Sequence, residues 1–106
     1  MRSRPAGTVT FVFTDIVGST RLVRRLGRAY HRLLLEHRVV IRAALAEHGG
    51  IEVRTEGDAF FAVFTEAGAA VEACLDAQRR IAAHPWPDDG VIAVRMGARM
   101  PAVPSG

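Results

Sequence analysis

Apolar and polar positions alternate from Thr8 to Thr14. Val9, Phe11 and Phe13 face one way, and Thr8, Thr10, Val12 and Thr14 the other. A period of two over a β-branched and aromatic run predicts a strand with one strongly apolar face. The period then lengthens. Leu22, Leu26, Tyr30, Leu33, Leu34, His37, Ile41 and Leu45 recur at steps of three and four. They predict an amphipathic helix to about His48, broken near Gly27. Ser19 or Thr20 is positioned to cap its start, and Gly49-Gly50 to stop it. Ile51 to Thr55 and Asp58 to Phe64 read as two strands with a tight Glu56-Gly57 hairpin between them. Phe60, Phe61, Val63 and Phe64 make the second of these apolar on both faces, which predicts a central, covered strand. Thr65 can cap a further helix with the stripe Val71, Cys74, Leu75, Gln78, Ile81 and Ala82, ended by Pro85 and Pro87. Val91 to Gly97 read as the last strand.

The predicted order is β-α-β-β-α-β, the α+β, ferredoxin-like arrangement: a four-stranded antiparallel sheet with its helices on one face. One domain is expected over 1–106, with a core at about 7–98, a loose lead at 1–7 and a disordered tail at 99–106. In this topology the first and third strands are central, antiparallel neighbours. The end of one meets the start of the other, so Asp15 and Asp58, 43 positions apart in sequence, are expected side by side.

At 106 residues the chain can bury a core, although about a third of the surface that its unfolded form exposes stays wet at this size. The 49% hydrophobic and 24% charged composition is that of a folded soluble domain. Cys74 is the only cysteine, which excludes an internal disulfide and points to a reducing cytoplasm. No apolar run approaches a membrane span. Asp15 interrupts the apolar stretch after Arg2 and Arg4, so no secretory leader is expected. Net charge is +3, and every basic residue is Arg. Arg21, Arg24, Arg25, Arg28, Arg32, Arg38 and Arg42 spread along helical sequence and read as a solvated face, not a nucleic-acid interface. His31, His37, His48 and His84 lack metal-ligand spacing and read as surface or helix-packing residues. Cys74 reads as core, and Trp86 as the cover of a loop or sheet edge.

The candidate chemistry lies in two segments, Phe11-Val12-Phe13-Thr14-Asp15-Ile16-Val17-Gly18-Ser19-Thr20 and Arg54-Thr55-Glu56-Gly57-Asp58-Ala59-Phe60-Phe61. Two carboxylates in one site repel, and divalent cations relieve that repulsion. Mg²⁺ takes hard oxygen ligands, commonly one or two carboxylates plus substrate phosphates. Two such ions can steady both the attacking and the leaving oxygen of a phosphoryl transfer. Val17 to Thr20 lie where a strand turns into a helix, whose free N–H groups and positive end favour phosphate. Glu56, a third carboxylate at the turn, is expected in solvent.

Those segments, with Val94-Arg95-Met96-Gly97, make the chain resemble the class III adenylate/guanylate cyclase catalytic domain over roughly residues 7–98. The resemblance implies that Asp15 and Asp58 bind two divalent ions, Mg²⁺ or Mn²⁺, aided by the carbonyl of Ile16. It implies that the backbone of Val17, Gly18, Ser19 and Thr20 holds the β- and γ-phosphates. The reaction it implies is attack of the ribose 3′ oxygen on the α-phosphate, giving a cyclic nucleotide and pyrophosphate. It implies a dimer, with each site shared between two chains, as a homodimer or with an intact cyclase domain.

Arg54 stands where adenylate-forming members have a purine-reading Lys and guanylate-forming members a Glu. It is the purine-reading candidate, and a cation there favours ATP over GTP. The competing role for Arg54 is an ion pair with Glu52 or Glu56. Family members continue past the last strand with segments carrying an Asn and an Arg that stabilise the transition state. This sequence contains no Asn. The expectation is a truncated adenylate-type cyclase domain, a phosphorus–oxygen lyase of cyclic-nucleotide signalling, with little or no activity alone. The alternatives are a non-catalytic module that binds metal–nucleotide or regulates an intact cyclase, and a remnant without a role.

Overall fold

Residues 9–87 and 91–99 are described by the computed structural model. The expected loose lead at 1–7, the strand start at Thr8 and the tail from residue 100 onward lie outside them; the last strand, expected over Val91 to Gly97, runs instead over Val94–Arg99 and takes in Arg99, the first residue of the expected tail. Strand β1 spans Thr10–Ile16. The helical periodicity that follows is two helices, α1 over Ser19–Leu26 and α2 over Ala29–Glu47, divided at Gly27. Gly27 has φ 56°, a backbone that side chains disfavour, so the predicted break falls there. Strands β2 (Ile51–Glu56) and β3 (Ala59–Phe64) form a hairpin, then come α3 (Ala67–Ala83) and β4 (Val94–Arg99). The sheet order is β2-β3-β1-β4, with every neighbouring pair antiparallel. This is the expected ferredoxin-like topology, with three helices rather than two.

The core lies between one sheet face and the helices. Thr10, Val12, Thr14 and Ile16 of β1 and Phe60, Ala62 and Phe64 of β3 are buried there. They meet Leu33, His37, Ile41, Ala44 and Leu45 of α2 and Ala70, Ala73, Ala77 and Ile81 of α3. Burying a side chain as large as Phe60 or Phe64 contributes about 1.5–3 kcal/mol. The strongly apolar face of β1 is therefore not the core face. Phe11 and Phe13 stand 46% and 42% exposed on the far side of the sheet, beside half-buried Phe61 and Val63. Strand β3 is central as expected, yet helices cover only one of its two apolar faces.

Four local expectations need correction. The α3 stripe is rotated: its small alanines face the core, which lets the helix sit close, while Val71 and Leu75 are each 52% exposed. Gly18, in the left-handed conformation at φ 66°, precedes α1, and no side chain caps that helix. Glu66, not Thr65, precedes α3. Glu56 pairs with Ala59, so the hairpin loop is Gly57-Asp58 and Asp58 is a turn residue. Trp86 closes the end of α3, donating from Nε1 to the carbonyl of Ile81 at 2.9 Å.

Candidate functional site

Antiparallel pairing of β1 with β3 aligns Thr14 with Phe60, which brings the end of β1 to the hairpin loop. Asp58 Oδ2 there accepts the backbone N–H of Ile16 at 2.8 Å. The two motif segments thus meet, with Asp15 and Asp58 on adjoining strand ends. Asp15 follows Phe11 and Phe13 on the open sheet face by strand alternation. Its carboxylate is gripped by Arg95 of β4, Nε to Oδ1 at 3.0 Å and Nη2 to Oδ2 at 2.8 Å. The pairing of Asp15 with Arg95 in the β1–β4 register sets up this two-pronged contact.

The charge of Asp58 acts on two groups of α2, and a third holds the residue before it. Burial, and then the negative charge of Asp58, push the Tyr30 phenol above its ordinary value. Burial pushes His37 below its ordinary value, against the opposing pull of Asp58. Arg38 donates from Nη2 to the carbonyl of Gly57, the residue before Asp58, at 2.7 Å. Among the described residues no group of three His, Cys, Asp or Glu side chains is gathered as a metal cage. Two carboxylates and the Ile16 carbonyl fit the other pattern, in which substrate phosphates complete the coordination of a hard cation.

Of the expected phosphate-binding segment, the N–H of Val17 is already engaged by the carbonyl of Ala93 at 2.8 Å. Val17 is therefore not a free donor in this state. Ser19 and Thr20 open α1, where helix geometry leaves N–H groups without an intrahelical acceptor. Gly18 supplies the left-handed turn that aims them.

A groove of about 730 Å³ runs along the open face, lined by Phe11, Phe13, Val53, Arg54, Phe61 and Arg99 among others. The Arg54 guanidinium lies 5.0 Å from the centre of the Phe61 ring. An irregularity between Glu52 and Arg54 gives β2 an extra residue, Val53, and so sets Arg54 opposite Phe61. The competing Glu52 pair does not form: Glu52 is held by Arg42 at 2.7 and 3.1 Å and by Thr55. Those bonds, the one to Arg42 first, hold the Glu52 carboxyl down at about 2. Glu56 is exposed, as expected.

Sequence reading missed Arg95, Arg38 and Tyr30. Arg95 had a usable signal, because the strand beside β1 must set a residue opposite Asp15. Arg38 and Tyr30 had none, since helix periodicity does not say which hairpin residue a helix faces.

The sequence family described as adenylate and guanylate cyclase catalytic domain matches residues 1–84. The adenylate cyclase of Schizosaccharomyces pombe is 38% identical over 93 residues, covering 88% of this chain and 6% of that protein. The adenylate cyclase of Lachancea kluyveri is 38% identical over 85 residues, covering 80% of this chain and 5% of that protein. Among solved structures, a Trypanosoma brucei adenylate cyclase in its monomeric state superposes with TM-score 0.85 at 20% identity. That match covers 93% of this chain and 57% of the other. The guanylate cyclase domain of RhGC from Catenaria anguillulae, in complex with GTP, gives 0.79 at 24% identity over 88% and 56%. The chain thus spans a small fraction of the curated relatives it matches and a little over half of the solved domains. At these identities the solved structures speak for the fold.

Proposed function

The chain belongs to the adenylate and guanylate cyclase catalytic domain family, and from that premise we propose that it supplies the metal- and triphosphate-binding part of a nucleotide cyclase site. The observation that carries the reading is the bond from Ile16 N–H to Asp58 Oδ2 at 2.8 Å. It joins the two carboxylate motifs at one sheet end, next to the start of α1.

In this reading Asp15, Asp58 and the carbonyl of Ile16 hold two divalent cations, Mg²⁺ or Mn²⁺. Bound there, the ions would lower the pKa of the ribose 3′ hydroxyl and offset charge on the leaving pyrophosphate. The N–H groups of Gly18, Ser19 and Thr20 hold the β- and γ-phosphates. Val17 joins them only if it releases Ala93. Arg95 must give up Asp15 when a cation arrives. Arg54, stacked on Phe61, borders the groove where a purine can lie; its resemblance to the Lys of adenylate-forming members points to adenine rather than guanine. The 3′ hydroxyl gives its proton to solvent, its oxygen attacks the α-phosphorus, the bond to the α,β-bridging oxygen breaks, and pyrophosphate leaves. Oriented charge supplies most of the rate in such transfers. The groups named here bind and orient; none of them is an Asn or Arg aimed at the transferring phosphate. A second cyclase domain, laid on the exposed Phe11–Phe13 face, would complete the site.

One observation favours a second reading, a non-catalytic partner module: in this state a guanidinium already satisfies Asp15. The test is cyclic nucleotide formation from ATP, and separately GTP, with Mn²⁺ or Mg²⁺. The chain is assayed alone and mixed with a cyclase domain whose own metal-binding aspartates are mutated. Product only in the mixture, lost with Asp15→Ala, supports the proposal. No product in either, with metal–ATP still bound in calorimetry, leaves the module. Neither product nor binding refutes both.

A further inference from the structure

Helix α2 holds the β2–β3 hairpin with two arginines one turn apart. Arg42 takes Glu52 at the base, and Arg38 reaches the loop itself, donating to the Gly57 carbonyl at 2.7 Å. To make that contact Arg38 leaves its Nε buried without a partner, an arrangement that costs stability. The carbonyl it holds belongs to the peptide plane joining Gly57 to Asp58. Peptide planarity makes that carbonyl and the Asp58 N–H move as one unit.

That plane is the soft point of a two-residue hairpin loop. The two favoured loops of this length both accept a positive φ at the first position, where Gly57 sits at 58°. They differ by a flip of the central peptide. The flip resets φ of the second residue, here Asp58, and swings its side chain. The direction of a carboxylate on such a loop therefore depends on which way the central peptide is held. We infer that Arg38 is the positioning residue that locks the Gly57–Asp58 peptide, and through it aims the Asp58 carboxylate at Ile16 N–H and the cation site. The metal-directed part of this inference rests on the function proposed above; the locking of the peptide does not.

Two measurements separate them. The first is amide hydrogen exchange of Ile16 in the metal-free protein, which reads the Asp58 contact directly. The second is Mn²⁺ affinity from electron paramagnetic resonance. The variants are Arg38→Met, Arg38→Lys, which keeps a donor, and Arg42→Met, which cuts the other tie to the same hairpin. The expected result for Arg38→Met is about tenfold faster Ile16 exchange and about tenfold weaker Mn²⁺ binding, at the lower end of effects for groups that orient metal ligands. Arg38→Lys restores most of both. Arg42→Met lowers the unfolding midpoint and leaves both readouts in place. Unchanged Ile16 protection in Arg38→Met overturns the inference, as does an equal loss in Arg42→Met. If the unmutated chain takes up no Mn²⁺ while Ile16 protection still depends on Arg38, the functional reading fails and the positioning role stands.

Discussion

His37 makes the chain's stability depend on pH in a range where few other groups titrate. It is fully buried on α2, and neither ring nitrogen makes a hydrogen bond of normal geometry. The Leu34 carbonyl and the charge of Asp58 favour the protonated ring, but burial outweighs both, and the pKa lies below 6.5. The sign follows from linkage. Above about pH 6.5 both the folded and the unfolded chain hold His37 neutral, and the full stability is present. As pH falls from there, the unfolded chain takes up a proton that the folded core refuses. Stability is lost by up to about 1.4 kcal/mol per pH unit until the folded pKa is passed. The salt-bridged carboxylates Glu36, Glu47, Glu52 and Asp76 have lowered pKa values, so their effects begin only below about pH 4.5. Glu47 and Glu52 are exposed and screened as well, whereas Glu36 and Asp76 are half-buried. The window from pH 6.5 to 5 therefore isolates histidine. Replacing His37 with Leu removes the titration and two unsatisfied nitrogens. At pH 7.5 this should raise stability by about 1–2 kcal/mol, as relief of unpaired buried polar groups does. At pH 5 the gain should be larger by the amount that the wild type has lost. Urea titrations of both proteins at half-unit steps from pH 7.5 to 5 measure this. Equal pH slopes in the two proteins would refute the reasoning, because His37 would then not be the group refusing the proton.

Three further outcomes are expected. Asp58→Asn keeps an oxygen for Ile16 N–H, so its unfolding free energy should fall by less than about 1 kcal/mol, while Mn²⁺ binding, read by electron paramagnetic resonance, disappears. Arg95→Met removes an exposed pair of the kind worth about 0–1 kcal/mol. Stability should barely move, and nucleotide-free Mn²⁺ binding should tighten severalfold as Asp15 loses its competing cation; unchanged or weaker binding counts against the competition. Gly97→Ala sets a Cβ 2.4 Å from the Phe13 ring. The ring must swing into the groove, at about 1–3 kcal/mol for an overpacked contact. In sedimentation experiments the variant should pair less well with a second cyclase domain; undiminished pairing argues against the open face as the meeting surface.

Much of the fold was legible because its signals are local. A switch of period from two to three or four, the left-handed break at Gly27, the Gly49-Gly50 stop and the paired prolines each act on their own few residues. Strand order followed from topology rules, and with it the meeting of the two segments that carry Asp15 and Asp58. Misreadings fell where an element has two apolar faces. Phe11 and Phe13 outrank Thr10 and Thr14 in hydrophobicity, yet the threonines are buried. Helices cover one face of the sheet as a whole, and no single strand records which face that is. Likewise the alanines of α3 face inward because close helix–sheet packing rewards small residues over large ones.

The sequence by itself determined the element types, their order and the two carboxylate motifs, since propensity, periodicity and turn chemistry act between neighbours in the chain. Tertiary structure decided which β4 residue stands opposite Asp15, and set Arg95 there, 80 positions away. It also decided that Arg38 grips the loop carbonyl before Asp58 and that an aromatic sheet face stays open. Those contacts depend on which surfaces meet in space, and a one-dimensional pattern carries the faces of each element without the pairing of one face to another.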